Sequence, residues 1–232
     1  GVKRILFYSS VNSLELFKTQ KFYQIDISIL KDLGYDVLLS NRIFDSLLFW
    51  KYDILFSYFY RYSFFAALLA KCFGKKTYFT GGIDSLDSDY ASAFNYKIQA
   101  LFFKLCYWVA DSCIIVSQSD LKNIFKVSSL KKKLSYSEHV INTKLFIADV
   151  PKEKIFTSIV WMGDEGNVVR KGVDKALQIF AELKKIPEFV DYRFVIIGRK
   201  GEGEVLVRSI IDKYNLKGSV ELKGEVSEED KI

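Results

Sequence analysis

The chain has 232 residues, half of them hydrophobic, 27% charged and only two prolines, a balance that buries a sizeable core and excludes a disordered chain. Three cysteines in no paired spacing exclude a disulfide framework and fit a reducing compartment. A single histidine, His139, excludes the usual tetrahedral zinc centre, and no G-x-S-x-G elbow accompanies it to support nucleophilic hydrolysis.

Gly1-Val2-Lys3-Arg4 runs straight into a predicted strand over residues 4–8, without the bounded apolar run and cleavage site of a secretory leader. A helix over 13–33 closed by Gly34, strands over 36–40 and 54–58, and a helix over 63–73 closed by Gly74 follow. A strand over 77–80 leads into Gly81-Gly82. Next come a long helix over 90–110, a strand over 112–116 and a short helix over 119–125 that opens on a Ser cap. The most apolar stretch, 54–70, is interrupted by Arg61 and falls short of the roughly 18–20 apolar residues of a spanning helix.

The second part repeats this grammar, with strands over 158–162, 192–197 and 219–222 and helices over 172–185 and 204–214. The stretch between Gly163 and Gly172 reads as a loop. Such alternation predicts an α/β fold of two Rossmann-like, doubly wound units in tandem, 1–150 and 151–232, with the boundary near Asp149-Val150-Pro151. Ligands of such sheets sit beyond the carboxyl ends of the strands. The places to search are therefore Gly81-Gly82 and the turns at 163–172, 198–203 and 224–226.

All the excess charge lies in the first part, where 19 Lys and Arg face 13 Asp and Glu; the second part has 15 of each. Aromatics divide the same way, 30 against 7. A basic, aromatic-rich half fits nucleic acid, an anionic membrane surface, or an ordinary core with a solvated basic face. Without an RNA-binding signature nucleic acid is not expected, and Phe102, Phe103, Tyr107 and Trp108, at helical spacing, read as core.

Where a dehydrogenase carries G-x-G-x-x-G after its first strand, this chain has Ser9-Ser10-Val11-Asn12, so nicotinamide chemistry is not expected. Gly198-Arg199-Lys200-Gly201-Glu202-Gly203 follows a strand and precedes a helix, so its amides can face an anion.

Met162-Gly163 is followed by Arg170-Lys171-Gly172-Val173-Asp174, then by Val195-Ile196-Ile197-Gly198-Arg199-Lys200-Gly201, then by Val220-Glu221-Leu222-Lys223-Gly224-Glu225-Val226-Ser227. This order and spacing resembles the second domain of the retaining nucleotide-sugar glycosyltransferases of family 4 (glycosyltransferase group 1), which have two facing Rossmann-like domains in the GT-B arrangement. Ala110-Asp111-Ser112-Cys113-Ile114-Ile115-Val116-Ser117 and Asn142-Thr143-Lys144-Leu145-Phe146 resemble motifs of the first domain. Gly81-Gly82-Ile83-Asp84 is similar to the family's H-G-x-D with the histidine replaced by Gly81. Val140 replaces the glycine of N-G-V-D, and Asp164 stands where the family keeps an arginine after its first glycine.

The resemblance implies transfer of a sugar from a UDP- or GDP-linked donor to a glycan or lipid-linked acceptor, with no metal and no organic cofactor. It places the donor at Arg170, Lys171, Gly198, Arg199, Lys200, Gly224, Glu225 and Val226, and the acceptor at Gly81, Gly82, Asp84 and His139; it names no catalytic nucleophile. The family's pair of glutamates at E-x7-E lies in a segment beyond the motifs present here, and Glu221 and Glu229 match that spacing only by coincidence. The resemblance thus implies an incomplete second domain and a chain that transfers little sugar alone. Its alternative is a non-catalytic nucleotide-sugar-binding or partner subunit. The expected location is the cytoplasm, with peripheral association at the inner face of a membrane.

Overall fold

The computed structural model describes residues 1–141, 143 and 151–227. The chain forms two compact units, 1–141 and 142–232. The predicted boundary at Asp149-Val150, the Asn142–Phe146 motif apart from Thr143, and Glu229 lie outside the described residues.

In the first unit six parallel strands, β1 (Arg4–Tyr8), β2 (Asp36–Ser40), β3 (Ile54–Tyr58), β4 (Lys76–Thr80), β5 (Ser112–Ile115) and β6 (Leu134–Tyr136), pair in the order β2-β1-β3-β4-β5-β6. The helices are α1 (Leu16–Thr19), α2 (Lys21–Asp32), α3 (Ser63–Cys72), α4 (Ala93–Val109) and α5 (Gln118–Val127). Strand alternation divides the core into two layers. Leu6 and Tyr8 of β1 pack with Phe64, Phe103 and Ile124 on one face, whereas Phe7 packs with Phe17, Tyr23 and Tyr58 on the other.

The helix expected over 13–33 is two. Gln20 is extended, with ψ 120°, and separates α1 from α2. Phe17 and Tyr23 would lie about 120° apart around one continuous helix, so the break is what brings both rings into the same core, 5.0 Å apart. α4 starts later than expected, at Ala93, because the Ser92 hydroxyl accepts from the Asn95 N–H. α5 is capped by Ser117, whose hydroxyl accepts from the Asp120 N–H, and Ser119 lies inside the helix.

The second unit has three parallel strands, β7 (Ile155–Ile159), β8 (Arg193–Ile197) and β9 (Val220–Gly224), in that order, with α6 (Glu165–Arg170), α7 (Val173–Leu183) and α8 (Gly203–Lys213). β7 begins and ends three residues earlier than predicted. Val160 and Met162 are buried, which makes them read as strand, but they pack into the core from the turn that follows it. The stretch expected to be a loop between Gly163 and Gly172 holds α6, started by the Asp164 carboxylate and closed against α7 at Gly172, which has φ +70°. No described helix is long and apolar enough to cross a membrane.

Candidate functional site

In the second unit, the segments that leave β7, β8 and β9 meet at the carboxyl end of the sheet. The Met162 N–H donates to the Arg199 carbonyl at 3.0 Å, the Gly198 N–H to the Gly224 carbonyl at 2.7 Å, and the Gly203 N–H to the Met162 carbonyl at 3.1 Å. Gly198 has φ +148°, and a Cβ there would stand 1.8 Å from the Val160 carbonyl oxygen. Only glycine lets β8 turn this close to the preceding segment. Gly198 therefore contributes room, since its amide is already engaged within the site.

Of the expected donor residues, Gly198, Arg199, Lys200, Gly224, Glu225 and Val226 belong to the turns that meet here, whereas Arg170 and Lys171 lie at the other end of α6. Arg199 Nε lies 3.6 Å from Glu225 Oε2, an exposed ion pair that joins the turn after β8 to the turn after β9. Lys200 is exposed beside it, and Val226 is half-buried. Arg170 ends α6, and Lys171 is exposed at its C-cap, directly before Gly172. Asp164, which replaces the arginine implied by the resemblance, caps α6: its Oδ1 accepts the Asn167 N–H at 2.7 Å.

Sequence reading missed Asn167. Its side-chain amide donates to the Trp161 carbonyl, and its Oδ1 accepts from Arg170 Nη2 at 2.8 Å, so it ties the turn after β7 to the last turn of α6. Asp174, the acid of the Lys-Gly-Val-Asp motif, sits in the first turn of α7. Its Oδ1 is buried and has no hydrogen-bond partner among the described residues. The end of a helix toward which backbone N–H groups point tolerates such a carboxylate.

In the first unit, Gly81 leaves β4 with φ +102° and is hemmed in by Phe59 and Tyr58, so a Cβ there would press on Phe59 at 3.0 Å. A histidine, the residue of the resembling motif, would strain both backbone and contact. Asp84 opens a 3₁₀ turn over Asp84–Leu86. The loop is held by a residue that sequence reading passed over: Asp120 Oδ2 accepts the Ile83 N–H at 3.2 Å. Burial pushes the Asp120 carboxyl above its ordinary range, the Ile83 and Ser117 hydrogen bonds oppose this, and the nearby Asp84 and Asp87 charges add to it. The signal was present in Ser117 followed three residues later by an acid, a helix-start pattern.

His139 lines a cavity of about 420 Å³ with Asp26, Phe56, Tyr78, Thr80 and Ile114. Thr80 connects this cavity to Gly81, the next residue. Asp26 accepts a hydrogen bond from the Tyr58 hydroxyl, and burial raises its pKa against the lowering pull of that bond and of His139. Two of the three thiols are poorly suited to nucleophilic work: Cys106 and Cys113 are buried, and burial pushes Cys113 up to about 12, whereas Cys72 is exposed on α3.

Comparison with known proteins bears on the fold and on the second unit. Residues 166–232 match the family model described as Glycosyl transferases group 1. No curated protein matches the chain by sequence. Among solved structures, HepE of Anabaena in complex with UDP is similar at 12% identity and a TM-score of 0.59, over 97% of this chain and 70% of that one. Sucrose-phosphate synthase of Thermosynechococcus elongatus aligns at 14% identity and a TM-score of 0.66, over 98% of this chain and 72% of that one. TarM of S. aureus aligns at 16% identity and a TM-score of 0.57, over 77% of this chain but only 34% of its own. The two parallel-sheet units are thus those of the GT-B fold, and the group 1 pattern covers most of the second unit.

Proposed function

We propose that the chain belongs to an enzyme that moves a hexosyl unit from a UDP- or GDP-linked sugar to a glycan or lipid-linked acceptor, with retention at the anomeric carbon. The observation that carries this reading is the family match over 166–232, because that stretch contains Arg170, Lys171, Gly198, Arg199, Lys200, Gly224, Glu225 and Val226. HepE, which shares the fold, is solved with UDP, and this supports a uridine donor over a guanosine one.

In this reading the second domain, 151–232, takes the donor and the first, 1–150, the acceptor. Negative charge builds on the leaving diphosphate as the glycosidic bond breaks. Cations at Arg170, Lys171, Arg199 and Lys200 that face the diphosphate stabilise that charge more than they stabilise the ground state. Glu225, 3.6 Å from Arg199, offsets part of that charge. The Gly81-Gly82-Asp84 loop and His139 face the acceptor. The working location is the cytoplasm, at the inner face of a membrane when the acceptor is lipid-linked.

Thermal unfolding with added nucleotide tests the reading. A ligand at a hundred times its dissociation constant stabilises the native state by about 2.7 kcal/mol. Saturating UDP or GDP is expected to raise the Tm where uridine alone does not; an unchanged Tm with both diphosphates contradicts the proposal.

A further inference from the structure

α4 turns Gln99, Phe103, Cys106 and Tyr107 into the core and leaves Phe94, Lys97, Leu101, Lys104 and Trp108 facing out, spaced three and four residues apart along one side. Phe94 is 72% exposed, Leu101 57% and Trp108 68%. The helix contains no Asp or Glu. At its Trp108 end, Lys133 Nζ donates to the Tyr107 and Trp108 carbonyls at 3.0 Å, and the exposed Lys131 and Lys132 stand next to it in the chain. Alongside, α3 and the residue before it present Phe65 and Tyr62, whose rings contact Phe102 of α4.

We propose that this outer face of α4 docks on an anionic lipid surface. A solvated helix face does not need phenylalanine, leucine and tryptophan, and a face that continues a protein core does not take regularly interleaved lysines. Both belong together over about 21 Å of helix where large apolar groups enter the headgroup boundary and lysine stems lie along them with the ammonium at phosphate level. Pairing with a second copy through the same face would set Lys97 and Lys104 of one copy near those of the other. Anionic headgroups complement them. The assignment rests on this surface alone and not on the sugar-transfer reading.

The test is co-sedimentation of the full chain with phosphatidylcholine vesicles, with and without phosphatidylglycerol, at low and high salt. Binding is expected only with phosphatidylglycerol and is expected to fall as salt rises. Lys97→Gln and Lys104→Gln should each weaken it about fivefold, and Trp108→Ser on the order of tenfold. Lys213→Gln, on the second unit, should bind like the wild type. Circular dichroism checks the fold of each variant, and the nucleotide-induced Tm shift, read on the same variants, should not change, which keeps this surface separate from the donor site. Equal pelleting with both vesicle types, or folded variants that all bind like wild type, overturns the proposal. So does self-association by ultracentrifugation that the variants abolish while vesicle binding is absent, which would make the face a contact between copies.

Discussion

Asn167 Oδ1 accepts a hydrogen bond from Arg170 Nη2 at 2.8 Å while the same residue's backbone N–H donates to Asp164 Oδ1 at 2.7 Å. One asparagine therefore sets the start of α6 and the arginine at its end. This links the acid at 164, which caps α6, to the cation at 170, which ends it.

Asn167→Ala removes the bonds to Trp161 and Arg170 but leaves the backbone cap. At about 0.5–1.5 kcal/mol per hydrogen bond, the expected loss of stability is roughly 1–3 kcal/mol. Nucleoside-diphosphate affinity should fall as well, because Arg170 is no longer held. Denaturant unfolding and calorimetry on the same variant check both, and unchanged stability removes Asn167 from its place as the link.

Gly198→Ala forces a methyl group to 1.8 Å from the Val160 carbonyl oxygen at a backbone φ of +148°. Overpacking alone costs about 1–3 kcal/mol, and the backbone strain adds to it. Unfolding by urea should show a loss of about 3 kcal/mol or more. The exposed Lys200→Ala serves as the mild control, and a Gly198→Ala variant as stable as that control contradicts the close approach of Gly198 to Val160.

Much of the fold was legible because its signals are local. The apolar runs of β1, β3 and β8 and the glycines at 34 and 74 mark elements directly, and the alternation gives the parallel sheets. The misplaced elements depend on distant packing. Gln20 breaks a helix so that Phe17 and Tyr23 reach one core, and Val160 and Met162 are buried without being strand. Trp108 read as core beside Tyr107, but one residue is a turn of about 100° around a helix, enough to move it to the surface. In the candidate site, the glycines and cations carried family spacing, whereas Asn167 belongs to no motif and the helix-start pattern of Ser117 and Asp120 does not reveal the bond to Ile83; the importance of both lies in loops that only the folded chain brings to them.

Asp120 gives a pH test. Its carboxyl pKa is raised above the ordinary 3.8, so the native state holds that proton more tightly than the unfolded chain. Below the ordinary value both states are protonated and the full benefit is present; as pH rises through the raised value the native state must bury a charge, and stability is lost. Asp120→Asn keeps an oxygen for the Ile83 N–H without titrating. Relative to wild type, the variant should gain stability as pH rises from about 3 to 7. A difference in Tm that stays constant over that range refutes the buried carboxylate as its source.

The central claim is that the second unit binds a nucleoside diphosphate through the cations at the α6–α7 junction. Calorimetric titration of UDP and GDP into wild type, Arg170→Ala, Lys171→Ala and Lys213→Ala tests it most directly. A charge-assisted contact contributes about 1.5–3 kcal/mol, so each of the first two variants should bind on the order of 10–100-fold more weakly, while Lys213→Ala binds like wild type. Lys171→Arg should restore only part of the affinity, since a planar guanidinium does not place its charge where an ammonium does. Unchanged affinity in both Arg170→Ala and Lys171→Ala, with the fold intact by circular dichroism, would contradict the donor site and the sugar-transfer reading built on it.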